Sequence, residues 1–303
     1  MTLLASINWG QGIADAIQLG ALYGLVAVGI GLVFGVLRLV NFAYGELITC
    51  GAYVLAYTYG WPRAASIVAC LASVVALALA QELVAFRPLR RSGATPATML
   101  VATFAVSFLL QAIYLLAFGS RGRAVSTLGT LNGAFTISGV DIRWIALVTV
   151  VTGILLLLGT AALLERTSAG LHIRAAAVDF RTARILGVRG NRVILLSFVV
   201  SGLLAGAVSV LYTVSNPFVA PDMGVQITIF ALVGVVVGGL DRLWSAALGG
   251  FVVGLVYGLF SDVLTSTSSS YLPSVVYGLV ILVLVLRPGG LFGSWRSQQV
   301  ERV

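Results

Sequence analysis

Nine apolar segments, separated by short polar stretches, run through almost all of this 303-residue chain. They lie at about 13–36, 42–60, 63–86, 97–118, 143–164, 192–214, 223–240, 244–263 and 272–287. A helix needs about 20 apolar residues to cross a bilayer, and most segments are that long. The second, seventh and ninth are shorter, which predicts tilted, broken or re-entrant helices. Only 9% of the residues are charged, against about 25% in soluble domains. The sequence therefore predicts an all-α polytopic membrane protein with 8–9 transmembrane helices.

The distribution of arginine predicts the orientation of the chain. All 18 basic residues are arginine, and cytoplasmic loops of membrane proteins carry an excess of positive charge. With the N-terminus outside, the outer segments hold only four of them, Arg63, Arg121, Arg123 and Arg143. The other fourteen then lie inside, with the C-terminus. We expect a multi-pass protein of the inner (plasma) membrane in this orientation.

No part of the sequence predicts a second folded domain, so residues 1–303 are expected to form one transmembrane domain. The longest outer loop, at about 119–141, is Gly-rich and partly alternating, which predicts a small β-hairpin with Asn132-Gly133 as its turn. The first twelve residues carry no Arg or Lys. Because a signal peptide begins with a positive region, the first apolar segment is expected to remain as a helix.

Glycines recur every four residues in several predicted spans. Gly250, Gly254 and Gly258 form the longest such ridge. In a bilayer, small residues at this spacing let helix backbones approach closely. The ridge is expected to pack helices within the chain, or else to form a subunit interface or a moving contact.

Several chemistries lack their residues here. A phosphate-binding P-loop requires lysine, which this chain does not contain. One histidine and two separated cysteines, Cys50 and Cys70, exclude a conventional His/Cys metal cluster, and both cysteines are expected to be buried free thiols. We find no catalytic constellation, cofactor site or metal site. Nucleic acid is not expected as a partner, because the charge of +8 reflects the loop arginines.

The longest charged stretch, at about 165–191, predicts a structured cytoplasmic loop. Asp179 is a suitable N-cap for a short helix that starts at Phe180, and Gly187 is a suitable left-handed C-terminal residue. Phe180, Ala183 and either Ile185 or Leu186 should share one face, with Arg181 and Arg184 on another. Such an amphipathic helix either docks into the groove of a partner protein or lies on the lipid surface.

Polar residues within the spans are few. Asn41, Tyr44 and Glu46 lie at the start of the second span, and Ser107 and Gln111 lie one turn apart in the fourth. A buried carboxylate in a membrane helix is costly and usually faces the protein interior. These five residues either line a translocation path or bond helices together, and Glu46 has Arg38 as one possible partner.

Four segments resemble a known family, in collinear order from about residue 12 to 293. Residues 181–188 (RTARILGV) resemble the EAARLLGI loop of branched-chain amino-acid permeases of ABC importers, although Arg181 replaces Glu and Thr182 replaces Ala. Residues 35–46 (GVLRLVNFAYGE) resemble the GVLRLINFAHG(D/E) signature of that family. Residues 237–250 resemble its VLGGLGSxxGAxxGG pattern, and residues 287–293 its C-terminal RPxGLFG.

The resemblance implies a permease subunit without its own ATPase site. It implies two cytoplasmic ATP-binding subunits that dock on the loop through Arg174, Asp179, Phe180, Arg181, Ala183, Arg184, Leu186 and Gly187. It also implies a second, identical or homologous permease and an extracytoplasmic solute-binding protein. The implied solute is a branched-chain or other hydrophobic amino acid, or alternatively urea or a short amide. The alternative of another class is an ATP-independent facilitator or an ion-coupled carrier.

Overall fold

The computed structural model describes residues 9–125, 133–137, 140–239, 242–263, 271–287 and 289–292. The described chain is mainly helical, and its twelve α-helices are numbered here in chain order. They are α1 (Trp9–Leu37), α2 (Tyr44–Tyr57), α3 (Arg63–Ala80), α4 (Arg87–Arg91), α5 (Pro96–Phe118), α6 (Trp144–Arg166), α7 (Ser168–Val178), α8 (Phe180–Ile185), α9 (Gly190–Ser215), α10 (Met223–Gly238), α11 (Leu243–Val263) and α12 (Leu272–Leu286).

Each of the nine predicted spans coincides with a helix, so the predicted fold class is confirmed. Six helical segments of the described chain are long and apolar enough to cross a membrane. The spans predicted to be short are α2, α10 and α12, with 14, 16 and 15 residues. At 1.5 Å per residue they reach only about 21–24 Å, less than the hydrocarbon thickness of about 30 Å.

A π-helical segment, Gln81–Phe86, joins α3 to α4 without a break. Pro88 follows it in the first turn of α4. Proline has no N–H and its ring crowds the preceding turn, and a local π-bulge lets the helix continue past such a site. The longer turn directs Gln81 inward, where its side-chain amide donates to the carbonyl oxygen of Ala43 at 3.2 Å.

Close backbone contact with α1 organises the centre of the fold. Around Gly250, Gly254 and Gly258, α11 meets the α1 backbone so closely that a Cβ atom would lie within 3 Å of an α1 atom at each glycine. Gly20 and Gly24 face the same contact from the α1 side. The ridge therefore packs inside the chain, and in this structure α1 covers the face that a subunit interface would need.

Short strands lie at the end of the bundle opposite α7 and α8. Strands β2 (Ala134–Ile137) and β3 (Val140–Arg143) pair antiparallel, and β1 (Arg123–Ala124) pairs with β4 (Phe218–Val219). A hairpin is present, formed by β2 and β3 with Ile137 paired to Val140. This hairpin does not use Asn132-Gly133 as its turn, and Asn132 itself lies outside the described residues. Hairpin ends are set by cross-strand pairing, which the Asn-Gly dipeptide alone does not specify.

Candidate functional site

The segment before α2 places polar side chains inside the bundle. Asn41 is buried, and its side-chain oxygen accepts from the Ala43 N–H at 3.0 Å. Tyr44 is also buried, and its hydroxyl donates to the carbonyl oxygen of Ser201 on α9 at 3.3 Å. Each of these bonds satisfies a polar group that would otherwise be costly in an apolar environment.

Glu46 bonds α2 to α5. Its side chain is fully buried, and Oε1 accepts from Ser107 Oγ and from Gln111 Nε2, each at 3.1 Å. The Tyr114 hydroxyl donates to the main-chain oxygen of Glu46 at 2.9 Å. The other carboxyl oxygen, Oε2, is buried and has no hydrogen-bond partner. Three of the five predicted path residues therefore form one cluster.

Arg38 does not pair with Glu46, although the sequence left that pairing open as one of two possibilities. It ends α1 in the left-handed conformation (φ 51°), and its guanidinium donates to the carbonyl oxygen of Ala177 at 3.1 Å. Ala177 lies in the last turn of α7, where unpaired carbonyls attract cations. Arg38 thus connects the end of a core helix to the polar loop, and Glu46 lies deeper, beside α5.

The first turns of α2 and α10 meet at two glycines. A Cβ atom at Gly45 would collide with the Gly224 carbonyl and the Thr228 hydroxyl, and one at Gly224 with the Gly45 carbonyl and the Thr49 hydroxyl. Neither helix has a side-chain cap at its N-cap residue. The N-termini of both helices, which carry a partial positive charge, therefore lie near Glu46, together with the carboxylate of Asp222, the N-cap residue of α10.

The loop between α6 and α9 contains two helices, of which the sequence predicted one. Asp179 caps α8, and its Oδ1 accepts from the N–H groups of Arg181 and Thr182 at 2.9 and 3.1 Å. The Thr182 hydroxyl donates to Oδ2 of Asp179. This bond, followed by the one from the Thr182 N–H, lowers the pKa of Asp179. Gly187 (φ 93°) ends the helix as predicted, in a Schellman motif: its N–H donates to Arg184 and that of Val188 to Ala183.

Helix α7 was not predicted from the sequence. Thr167 begins it by accepting from the Gly170 N–H at 3.0 Å, and Gly170, Ile173 and Ala176 are buried at a spacing of three residues. The Thr167 cap and this spacing were the missed signals. Arg174, predicted as a docking residue, lies on α7 and donates to the Glu165 carbonyl oxygen at 3.4 Å.

The predicted apolar face of α8 is divided between two sides. Ala183 is buried and Phe180 is half-buried against Gly190, at the start of α9. Ile185 and Leu186 are 78% and 80% exposed. The predicted common face of Phe180, Ala183 and Ile185 or Leu186 is therefore not formed. A helix this short turns by about 100° per residue, and the side chains of Phe180 and Leu186 leave it in different directions.

These features, a helical membrane bundle with a buried polar cluster and a structured loop with an exposed apolar tip, are typical of a polytopic permease. The chain matches the family model described as branched-chain amino acid transport system / permease component over residues 12–285. It belongs to this family, whose members work with separate ATP-binding and solute-binding components.

Two curated relatives match along nearly their whole length. The permease protein BraD of a high-affinity branched-chain amino acid transport system from Pseudomonas aeruginosa is 30% identical over 97% of both chains. The corresponding LivH protein of Escherichia coli is 31% identical, also over 97% of both.

A solved structure shares the fold. It is described as an inward-facing conformation of an ABC transporter of the metal-chelate type, and its TM-score is 0.51 at 18% identity. The match covers 95% of this chain and 91% of the other.

Proposed function

We propose that this chain forms the path of an ATP-driven importer for branched-chain or other hydrophobic amino acids. Two permease chains, this one with an identical or homologous second, would enclose the path. Two ATP-binding subunits would dock on one side and a solute-binding protein on the other. The observation that carries the proposal is the doubly capped loop helix α8, which holds Ile185 and Leu186 out from the bundle, together with family membership.

The exposed tip of α8 fits a docking role. Apolar side chains that are mostly exposed on a rigid helix are suited to fill a pocket on a partner. Arg38 bonds the end of α7 to α1, so displacement of the loop would be transmitted to the core. ATP binding would close the ATP-binding subunits, move the loops together and open the path outward. Solute release and hydrolysis would reset it.

We propose the α2–α10 junction as part of the path. Separation of the two first turns would expose two uncapped helix N-termini beside a carboxyl group with one unpartnered oxygen, Oε2 of Glu46. Helix N-termini inside a membrane favour the carboxylate of a solute, and Glu46 would face its ammonium group. Asn41, Tyr44, Ser107 and Gln111 would hold this arrangement by the hydrogen bonds described above.

The proposed orientation has the α7–α8 loop in the cytoplasm and the N-terminus of α1 outside. Arg87, Arg90 and Arg91 on α4 lie at the loop end of the bundle, where they share a cavity with Arg184. At the other end, Arg143 pairs with Asp15 at 3.4 Å. The excess of arginine at the loop end supports this orientation.

Uptake into proteoliposomes tests the proposal. The permease would be reconstituted with its ATP-binding and solute-binding partners, and uptake of labelled leucine would be measured with and without ATP. We expect uptake that requires ATP and all components. Leucine movement through the permease alone would identify a facilitator instead, and transport of urea but not leucine would refute the proposed solute class.

A further inference from the structure

A basic cavity opens at the loop end of the bundle, between α4 and the start of α9. Its volume is about 860 Å³, and Phe180 and Ile194 supply apolar parts of its wall. Arginine dominates the lining, which includes Arg87, Arg90, Arg91, Arg184, Arg189 and Arg192. The proposed transport path does not use this cavity. Phe180 and Arg184 belong to the implied docking set, but the exposed tip of α8 proposed for docking, Ile185 and Leu186, does not line it.

Most of this positive charge has no counter-ion among the described residues. Arg90 forms a two-pronged ion pair with Glu82. The other five lining arginines have no carboxylate within 4.0 Å in the described part of the chain. Arg87 holds its Nε atom buried and without a hydrogen-bond partner. Such a concentration of unpaired cations in a concave site favours an anion of more than one charge or of several acceptor oxygens.

The backbone adds to this preference for an anion. Gly190 and Asn191, in the first turn of α9, also line the cavity. Helix α9 has 26 residues, and its N-cap residue, Arg189, supplies no side-chain cap. The N–H groups of an uncapped first turn point toward the cavity end of the helix and favour phosphate oxygens.

The surroundings indicate that the anion comes from the bilayer. Leu83 and Val84, 43% and 78% exposed, lie one turn before Arg87 on the same membrane helix. Arg181, Ile185 and Leu186, at the outer tip of the loop, do not line the cavity. A protein docked on that tip would not cover the cavity. With Val84 facing acyl chains, the cavity one turn further along the helix would lie at the depth of the headgroups.

We propose that this cavity binds the phosphate headgroup of an anionic phospholipid from the loop-side leaflet. Basic pockets between transmembrane helices on the cytoplasmic side are suited to such headgroups. The bound lipid would join α4 to α8 and α9, because its phosphate would contact arginines from all three. The inference concerns lipid recognition and does not depend on the identity of the transported solute.

Native mass spectrometry of the full-length permease tests this proposal. Phosphatidylglycerol or phosphatidylcholine would be added stepwise, and the fraction of lipid-bound protein recorded. We expect one phosphatidylglycerol to bind preferentially. The double variant Arg91→Gln/Arg192→Gln should bind it about 30-fold more weakly, since each arginine near an anionic lipid contributes about fivefold. The matched control Arg63→Gln/Arg121→Gln removes the same charge outside the cavity and should bind as the wild type does.

Further variants and ligands separate the sources of the effect. Arg91→Lys/Arg192→Lys keeps the charge and should retain most of the binding; a loss as large as that of the Gln pair would indicate a structural role and overturn the proposal. Displacement of the lipid by millimolar inorganic phosphate would identify a site for a soluble anion and would also overturn it. So would equal binding of the two lipids, or loss of a co-purified ATP-binding subunit from the Gln pair with unchanged lipid binding.

Discussion

The α1–α11 contact and the α7–α8 loop are stabilised by different interactions: the first by packing between distant segments, the second by local hydrogen bonds. In the membrane, glycines on α11 bring its backbone against α1, and this packing covers the glycine ridge. In the loop, Asp179 and the turn at Gly187 close both ends of α8 with local hydrogen bonds. Because the loop helix is capped by its own residues, its apolar tip stays available. The core helices bury these faces against each other, whereas the loop leaves the apolar tip of α8 exposed.

The largest effect is expected where the two backbones touch. At Gly250 even a Cβ atom would lie 2.6 Å from the Tyr23 carbonyl oxygen and 2.7 Å from the Ala27 side chain. Gly250→Leu should therefore separate α1 from α11 and cost about 3 kcal/mol or more, seen as loss of monodisperse protein in detergent. Gly159→Leu is the matched control, since nothing lies within 4 Å of a Cβ there. Equal behaviour of the two variants would contradict the role assigned to the contact.

The buried polar cluster should give a smaller loss. Glu46→Leu removes the acceptor of Ser107 and Gln111, and unmatched buried donors cost about 1–3 kcal/mol. Glu46→Gln keeps an acceptor oxygen and should lose less. Thermal unfolding can be followed by the labelling of Cys70, whose thiol is buried in the folded protein. Identical unfolding of Glu46→Leu and the wild type would show that the cluster does not stabilise the fold.

The tip of the loop should affect assembly without affecting stability. Ile185 and Leu186 are mostly exposed, so Ile185→Asp/Leu186→Asp should change the stability of the permease by no more than about 0.5 kcal/mol. The same change should abolish co-purification of the ATP-binding subunit, because a charge would enter an apolar pocket. Leu171→Asp is the control, on the exposed side of α7. Retained co-purification in the double variant would remove α8 as the docking element.

The smallest effect is expected at the cap. Asp179→Ala removes the acceptor for two N–H groups and should speed hydrogen exchange at residues 181 and 182, while Asp179→Asn, a comparable cap, should change it little. The pKa of Asp179 is lowered in the fold, so its contribution is present above the ordinary value of 3.8 and is lost as pH falls through the lowered pKa. The difference in hydrogen exchange at residues 181 and 182 between Asp179→Ala and the wild type should shrink only below that ordinary value. A difference that disappears near neutral pH would argue against this account.

Local sequence was sufficient for much of this architecture. Helix positions could be predicted because each span must be apolar over its full length, and the α8 boundaries because Asp179 and Gly187 act within a few residues. The cap of α7 was equally local, at Thr167, but its apolar spacing of three residues was read as part of a basic loop. The hairpin of β2 and β3 does not use Asn132-Gly133 as its turn, because cross-strand pairing and not the dipeptide sets its register.

Contacts between distant residues required the tertiary structure. The sequence allowed Glu46 to pair with Arg38 or with other polar groups, and the packing of α5 beside α2 decided in favour of Ser107 and Gln111. It also allowed Phe180 and Leu186 to share one face of α8, but in the structure the start of α9 covers Phe180 and leaves Leu186 exposed.

The sequence by itself therefore determined which segments enter the membrane and where helices begin and end, because bilayer thickness and capping act on residues close in the chain. Only the tertiary structure decided which glycines are in contact, which polar groups are satisfied and where arginines from α4, α8 and α9 converge. Those outcomes depend on how closely helices that are far apart in the sequence approach each other. Local residue patterns do not specify that approach, because it is set only when the helices pack.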